Sequence, residues 1–448
     1  MFVPPIHQLT LSQAAEAIRT RQLSPVELTK HCLTRIQFLD LELNSFIAVA
    51  HDLAMVQARA AEKEIAAGNY RGSLHGIPIA LKDLIDVEAE RTTAASAVCA
   101  DHAAAKDAEV TQRLRKAGAI FLGKTNLHEF AYGGSGVISA YGPVQNPWDS
   151  KRITGGSSSG SAAAVAAGLC FMALGTDTAG SIRLPASYCG VVGLKPTHGL
   201  VSTEGVVELS RSLDHVGPIT RSVEDSRIAM GVLAEMNDEE SPSSPRIGVV
   251  RKFFLDNAQA EIVQVWEAAI SKISKEFGQS FREIEIPISN DRTLQKAESY
   301  QAHKQFLGER SHLYDPQTLQ RIKSGGDTTP KQIEALQADL KQFRTMSARV
   351  FSNVDIVATL TVPIEPPRIA DLQNSPELRP TELMMLRNTR PFDVLGWPTI
   401  TIPCGLTSSG LPVGLQLSAG FLQERCLLDM AARCERILAF SAIPAIVE

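Results

Sequence analysis

Two short loops rich in glycine and hydroxyl side chains could carry chemistry in this sequence. The first, Gly155-Gly-Ser-Ser-Ser-Gly-Ser161, precedes an alanine-rich segment, and the second, Thr176-Asp-Thr-Ala-Gly-Ser181, follows that segment. Glycine leaves backbone N–H groups unshielded, so a ligand can approach them closely. Such a cluster of donors suits a phosphate or the oxyanion of an acyl-transfer reaction. Taken alone, either loop could instead contain glycine only to allow close packing of the chain, without binding a ligand.

The motifs disfavour the phosphate alternative and leave a serine nucleophile to be considered. Neither loop contains the Gly-Lys-Ser/Thr of a Walker A motif, and there is no GxGxxG fingerprint. A serine nucleophile needs a base, usually histidine or lysine. His75, His198 and His215 are the nearby histidines, but no GxSxG elbow follows a strand. Packing or surface roles are therefore favoured for these histidines.

Lys82 is the better candidate for the base. It ends the apolar run from Gly76 to Leu81, which is bounded by turn residues and predicts a short buried strand. Burial would lower the affinity of the amine for a proton, so that it could act as a base near neutral pH. Spacing alone nevertheless favours a lysine that extends its ammonium group to solvent from the strand end.

These loops lie in a chain whose pattern alternates between helices and strands. Capping signals at Thr10-Leu-Ser12 and Ser24-Pro25 predict two helices near the start. Further helices are predicted at 53–67, 110–117 and 161–167, strands at 76–81, 119–122, 246–250 and 398–402, a polar loop at 237–245 and a mainly helical region at 255–350. This alternation indicates an α/β fold around a mixed or parallel sheet. We expect one large core, with the helical region bordering a substrate pocket.

The composition is that of a globular protein without a nucleic-acid-binding surface. Of 448 residues, 44% are hydrophobic and 21% charged, the net charge is -5, and no lysine- or arginine-rich run occurs. The seven cysteines form no CxxC pair, which favours buried thiols over a disulfide framework. The start shows no signal-peptide pattern, and the longest apolar run, 162–174, is too short to cross a bilayer. We expect a cytoplasmic protein.

The sequence resembles the amidase signature family over roughly residues 10 to 440. The resemblance rests on the stretch from Gly155 to Thr197 and on Gly76-Ile-Pro-Ile-Ala-Leu-Lys-Asp83. Flanking motifs agree with it: Gly123-Lys-Thr-Asn-Leu-His-Glu-Phe-Ala131, Asn146-Pro-Trp148, Ser212-Leu-Asp-His-Val-Gly-Pro218, and Gly410-Leu-Pro-Val-Gly-Leu-Gln416 followed by Glu424. It implies one α/β amidase domain over residues 1–448, with a large mixed sheet and helices on both sides. The signature core covers about 70–220, and the helical region about 255–350 is more variable.

The resemblance also implies a Ser–cis-Ser–Lys triad. The nucleophile falls on Ser181, the bridging serine on Ser157, which follows a cis peptide bond in the family, and the base on Lys82. Neutral Lys82 would take a proton from Ser157, and Ser157 would take one from Ser181 as it attacks an amide carbonyl. This chemistry needs no cofactor and no metal, and the sequence offers no metal-ligand spacing.

Residues around the triad receive supporting roles from the same resemblance. The oxyanion hole falls on the backbone N–H groups of Thr178, Ala179, Gly180 and Ser181. Asp177 and Arg183 resemble a structural ion pair that holds the loop, and Ser158 is the additional hydrogen-bonding partner of the triad. Ala179 departs from the family pattern, in which glycine is usual. A Cβ there requires a negative φ unless strain is tolerated, which affects oxyanion geometry and substrate choice.

The resemblance leaves several functions open. The first is hydrolysis of a small carboxamide, acidic or urea-derived, as in malonamidase and carboxybiuret hydrolase. The second is the role of glutaminase subunit in a tRNA-dependent amidotransferase, which supplies ammonia to a partner. The stretch from Asn126 to Gly134 departs from the Met-Asp-Glu-Phe-Ala-Met-Gly-Ser form of that subunit, which favours the small amide. A catalytically inactive binding protein and a membrane-bound fatty-amide hydrolase are disfavoured. We expect the protein to bind a small-molecule amide and neither nucleic acid nor a membrane, and a homodimer is possible. Substrate specificity is expected to lie in residues 125–145 and 300–370.

Overall fold

The secondary structure alternates between helices and strands along most of the chain. The structure is a computed structural model that describes residues 5–237, 242, 244–278 and 281–447. Its α-helices are α1 Leu11–Arg19, α2 Pro25–Leu43, α3 His51–Ala66, α4 Glu109–Lys116, α5 Ser159–Ala166, α6 Arg183–Cys189, α7 Val223–Leu233, α8 Ala260–Phe277, α9 Thr293–His303, α10 Pro316–Lys323, α11 Pro330–Ser347, α12 Ile369–Leu372, α13 Leu378–Met385, α14 Arg390–Leu395 and α15 Glu424–Leu438. Its strands are β1 Phe46–Val49, β2 Pro78–Lys82, β3 Ile120–Thr125, β4 Gln145–Asn146, β5 Asp149–Ile153, β6 Met172–Asp177, β7 Val192–Lys195, β8 His215–Thr220, β9 Ile247–Val249, β10 Arg282–Glu283, β11 Ile356–Leu360, β12 Thr399–Leu406 and β13 Pro412–Ala419.

Eleven of these strands form one mixed sheet in the order β1-β3-β2-β6-β8-β7-β12-β13-β11-β9-β10. Strand β2 pairs in parallel with β3 and β6, whereas β8 pairs antiparallel with β6 and with β7. Strands β12 and β13 pair antiparallel and join this half of the sheet to β11, β9 and β10. The predicted α/β fold with a large mixed sheet and flanking helices is confirmed.

The centre of the sheet is buried, and this burial positions the two loops. Every residue of β2, β3, β6 and β8 is buried, as expected for strands covered on both faces. Helix α5 consists of serine, glycine, alanine and one valine, all buried, and these small side chains let it contact β6 and α6 closely. The loop before α5 and the loop after β6 therefore meet beside the end of β2.

The predicted elements match the structure in kind and differ at their ends. The strand predicted at 76–81 runs from Pro78 to Lys82, and the helix predicted at 161–167 begins two residues earlier, at Ser159. The predicted caps are present: Ser24 accepts from two backbone N–H groups, and Thr10 forms a capping box. The region 255–350 contains α8 to α11 and also β10, which was not predicted. Residues 238–241 and 243 of the predicted polar loop lie outside the described residues.

Membrane crossing is not supported by the helices. None of those in the described ranges combines the length and the apolar composition that a membrane span requires.

Candidate active site

Lys82 lies at the carboxyl end of β2 and is completely buried. Its Nζ is 2.7 Å from Ser157 Oγ and 2.7 Å from Thr176 Oγ1. Burial lowers the pKa of Lys82 to about 7, although the carboxyl groups of Asp177 and Asp214 act to raise it. A substantial fraction of this amine is therefore neutral near pH 7, which a proton acceptor requires.

Ser157 is held by a loop with little freedom. The peptide bond between Gly156 and Ser157 is cis, as the resemblance implies. The Gly156 N–H donates to the carbonyl of Gly134 (2.7 Å), and the Ser157 carbonyl accepts from the His128 N–H (3.1 Å). A Cβ on Gly156 would lie 2.9 Å from the Gly136 nitrogen, so only glycine fits here. The loop thereby directs Ser157 Oγ towards Lys82.

Ser181 lies in the loop between β6 and α6, and the residue is 4% exposed. Its carbonyl accepts from the Ser158 N–H (3.1 Å), which joins the two loops. Its hydroxyl makes no hydrogen bond with Ser157 or with any other residue that the structure describes. The structure thus joins Lys82 to Ser157 and leaves the link to Ser181 open, as is common without substrate.

Ser158 supports the site through the backbone. Its hydroxyl donates to the Thr176 carbonyl and accepts from the Thr176 N–H, both at 3.2 Å. Its hydroxyl makes no hydrogen bond with the side chains of Lys82, Ser157 or Ser181 in the described structure, whereas its N–H donates to the Ser181 carbonyl (3.1 Å), so the hydrogen bond expected from Ser158 is made by its backbone. Ser158 fixes Thr176, and Thr176 in turn binds Lys82.

Asp177 and Arg183 form a buried ion pair, with Arg183 Nε 3.0 Å from Asp177 Oδ2. Arg183 also contacts Asp393 Oδ2 (2.6 Å) and the Thr389 carbonyl (2.9 Å). Burial acts to raise the pKa of Asp177, but Arg183 outweighs it and holds that pKa below its usual range. The arrangement is that of a loop anchor, since neither charge faces the space beside Ser181.

The same anchor changes the predicted oxyanion hole. The Gly180 N–H donates to Asp177 Oδ1 at 2.5 Å and is not free for a substrate oxygen. The prediction that Gly180 contributes to the hole therefore disagrees with the structure, and the N–H groups of Thr178, Ala179 and Ser181 remain. Gly180 has φ 127°, whereas Ala179 lies outside the left-handed region, so its Cβ causes no backbone conflict.

Several residues of the site were not identified from the sequence. Thr176 binds Lys82, and Asp214 accepts from Thr178 Oγ1 at 2.6 Å and from the N–H groups of Leu209 and Ser210. Burial raises the pKa of Asp214 to about 7, although these hydrogen bonds lower it. Asp214 lies in the Ser212–Pro218 motif quoted above, so a signal existed for it. Thr176 has no signal beyond its position before Asp177.

A small cavity reaches Ser181 and is the candidate binding pocket. Its walls are formed by Ala131, Tyr132, Gly133, Thr178, Ala179, Ser181, Leu209, Arg292, Gln295, Arg379 and Leu386. Only 131–133 fall in the ranges from which specificity was expected. Residues 292–295 and 379–386 line the pocket but lie outside 300–370, because α9 and α13 cover the pocket from either side of that range; the expected location of specificity stays a prediction.

A larger cavity of about 760 Å³ adjoins this pocket. Ala131, Thr178 and Leu209 line both, so the two cavities are adjacent. Its walls also include Thr176 and Asp214, which contact Lys82 and Thr178 respectively.

The histidines considered from the sequence pack away from the triad. His215 is buried, with Nδ1 3.0 Å from the Asp177 carbonyl and Nε2 3.2 Å from Lys195 Nζ. His75 is buried near Glu64. His198 stacks edge-on against His215.

Comparisons with known proteins agree with this architecture. A model of the family described as Amidase matches residues 27–428. A glutamyl-tRNA(Gln) amidotransferase subunit of Gluconobacter oxydans is 34% identical over 493 residues, covering 98% of each chain. A crystal structure of an amidase superposes with a TM-score of 0.88 at 30% identity, covering 96% of this chain and 99% of that one. For 6-aminohexanoate cyclic dimer hydrolase the TM-score is 0.89 at 27% identity, with 99% and 100% covered.

The family match and the identity extend over nearly the whole chain, and they include both loops and Lys82. They confirm the resemblance to the amidase signature family, and they support the assignment of the protein as an amide-hydrolysing enzyme. The chain belongs to the amidase signature family.

Proposed function

We propose that the protein hydrolyses the carboxamide of a small molecule through an acyl-enzyme on Ser181. The observation that carries the proposal is the 2.7 Å contact between Lys82 Nζ and Ser157 Oγ, at a lysine whose pKa is lowered to about 7. A neutral amine beside a serine hydroxyl can accept its proton, and that hydroxyl can then accept a proton from a second serine.

The reaction begins when Ser181 Oγ rotates towards Ser157 and attacks the amide carbon. The Ser181 proton passes to Ser157 as the Ser157 proton passes to Lys82. The N–H groups of Thr178, Ala179 and Ser181 hold the oxyanion, and one such donor is typically worth on the order of 100-fold in rate. The ammonium of Lys82 then returns a proton through Ser157 to the leaving nitrogen. Water attacks the acyl-enzyme by the same route and releases the carboxylic acid.

A fluorophosphonate probe and a panel of small amides test this mechanism. We expect the probe to label Ser181, identified by peptide mass spectrometry, and labelling to be lost in Ser181→Ala. Ammonia release should fall by at least about 1,000-fold in Lys82→Ala and Ser157→Ala, because the relay acts as a unit. The control Ser409→Ala removes an exposed hydroxyl and should behave as the wild type. Unchanged labelling of Ser181→Ala, or near-full activity of Lys82→Ala, would contradict the assignment.

The second candidate is the glutaminase subunit of a tRNA-dependent amidotransferase. The Gluconobacter oxydans relative, which matches over 98% of both chains, favours it. Against it, Tyr132 lines the pocket beside Ser181 where that subunit, in the motif form given above, has methionine. Ammonia release from glutamine only in the presence of tRNA-binding partner subunits would support this candidate. Efficient hydrolysis of a small amide by the isolated chain would support the first.

A further inference from the structure

Among the residues that the structure describes, Arg292 is a charged side chain without a partner in the candidate pocket. It precedes α9, is partly buried, and lines the same cavity as Ser181. Within the described ranges, no carboxylate or carbonyl accepts from its guanidinium. Burial, together with Arg390 and Arg379, lowers the pKa of Arg292. An unpaired, partly desolvated guanidinium is costly, and an anion at this point would remove the cost.

The neighbouring charges leave an excess of positive charge on this wall. Arg379 also lines the cavity, and its carboxylate partner, Glu382, is 3.3 Å away. That carboxylate is shared, because Arg321 lies 2.9 Å from it on the other side. Arg390, behind the wall, donates to the Gln295 side chain and to a backbone carbonyl. One buried carboxylate thus serves two arginines, and Arg292 is left uncompensated by the described residues.

Gln295 adds a neutral donor at the same place. The residue is 4% exposed and lines the cavity, and its Oε1 accepts from Arg390 Nη1 at 2.6 Å. That contact fixes the orientation of the amide and leaves Nε2 without a hydrogen bond among the described residues. A guanidinium with an adjacent amide N–H matches the planar pair of oxygens of a carboxylate.

We propose that Arg292, with Arg379 and Gln295, binds a carboxylate of the substrate, so that the enzyme acts on a short amide that also carries an acid group. This inference rests on the proposed function, because the same cavity must present the amide carbonyl to Ser181. Arg292, Gln295 and Ser181 line one cavity, so the proposal takes the amide and the acid to be separated by a short chain. Binding of the acid group by Arg292 would orient the carbonyl before attack.

Matched pairs of substrates test the proposal. Malonamate and malonamide, and succinamate and succinamide, differ mainly in replacing a carboxylate by a neutral amide. We expect kcat/KM of the wild type to be larger for the acid of each pair by on the order of 100-fold, the usual worth of a buried charge-assisted contact. In Arg292→Gln the ratio of acid to diamide should fall towards one, and Arg292→Lys should keep part of it. Arg349→Gln, which removes an exposed arginine, should keep the wild-type ratio.

The outcomes separate this proposal from the proposed function. A wild-type ratio near one, or an unchanged ratio in Arg292→Gln, would overturn the carboxylate site while leaving amide hydrolysis intact. Failure of the wild type to be labelled at Ser181 and to release ammonia from any amide would refute the proposed function itself. If Arg292→Gln does not fold, competition settles the question: malonate should slow probe labelling of the wild type more strongly than malonamide does, and equal protection would overturn the proposal.

Discussion

The pH dependence of acylation tests the role of Lys82 most directly. A lysine base works in its neutral form, so the rate should rise with pH through the pKa of Lys82 and level off above it. With that pKa at about 7 instead of 10.5, about half of the amine is neutral at pH 7, against roughly one in 3,000 for an ordinary lysine. The buried position therefore increases the available base by on the order of 1,000-fold.

The assay is the second-order rate constant for labelling of Ser181 by an uncharged fluorophosphonate, from about pH 5 to about pH 10. An uncharged probe excludes ionisation of the substrate as a source of the profile. We expect a plateau above about pH 8 and an acid limb of unit slope. A rate still rising tenfold per pH unit at about pH 9 would show an unperturbed lysine, and a flat profile would show that no group near pH 7 is the base; either refutes the reasoning.

Asp214→Asn adds a test with a defined sign. Asp214, whose own pKa is about 7, acts in its ionised form to raise the pKa of Lys82, so its replacement should lower that pKa and move the upper part of the acid limb to lower pH. Asparagine fits the position, since its oxygen can accept from the Leu209 and Ser210 N–H groups while its NH2 donates to Thr178. A shift of the limb to higher pH would contradict the electrostatic account.

Three further substitutions have expected outcomes. Arg183→Met should lower the free energy of unfolding in urea by about 3–5 kcal/mol, because it leaves Asp177 buried without its cation; an unchanged midpoint would contradict this. Gly180→Ala should reduce kcat by at least about 100-fold with the circular dichroism spectrum retained, because its Cβ would lie 1.9 Å from Thr389 Oγ1 and φ is 127°. Lys82→Met should raise the unfolding temperature. The pKa of Lys82 is about 7 in the folded state and 10.5 in the unfolded state, so burying the charged amine costs up to about 5 kcal/mol of stability below pH 7. This gain should fade between pH 7 and about 10, and a gain independent of pH would refute its origin.

The placement of Lys82 and Ser157 in the candidate site could be predicted from the sequence because its signals are local. The apolar run before Lys82 and the glycines around Ser157 restrict the backbone over a few residues, and the structure places the strand end and the loops accordingly. The family resemblance was still needed to select these residues, since spacing alone favoured a solvent-facing lysine. The use of the Gly180 N–H by Asp177 could not be predicted, because it depends on the detailed path of the loop.

The pocket could not be predicted because its lining residues come together only in the folded structure. An arginine at the start of a helix, such as Arg292, is usually a solvated surface residue. Arg292 differs because α9 packs over Ser181 and leaves it without an acidic partner among the described residues. The nearby carboxylate, Glu382, is shared by Arg321 and Arg379, and Arg321 is distant from it in sequence. The position of β8 between β6 and β7 was likewise missed, because strand order depends on contacts far apart in the chain.

If Arg292 binds a substrate carboxylate as proposed, the two candidate functions share a carboxylate-bearing substrate and differ in one charge. Glutamine carries an α-ammonium group beside its carboxylate, and a bound ammonium needs an acceptor. The described residues that line the pocket include no aspartate or glutamate, while two arginines, Arg292 and Arg379, would repel the ammonium. Glutaramate, which is glutamine without that group, should therefore release ammonia at least about tenfold faster than glutamine in the isolated chain. The comparison at one pH checks this directly. A preference for glutamine in the isolated chain would refute the unpaired-arginine argument and favour the glutaminase candidate, because this pocket would then accept the ammonium without an acidic side chain among its described lining residues.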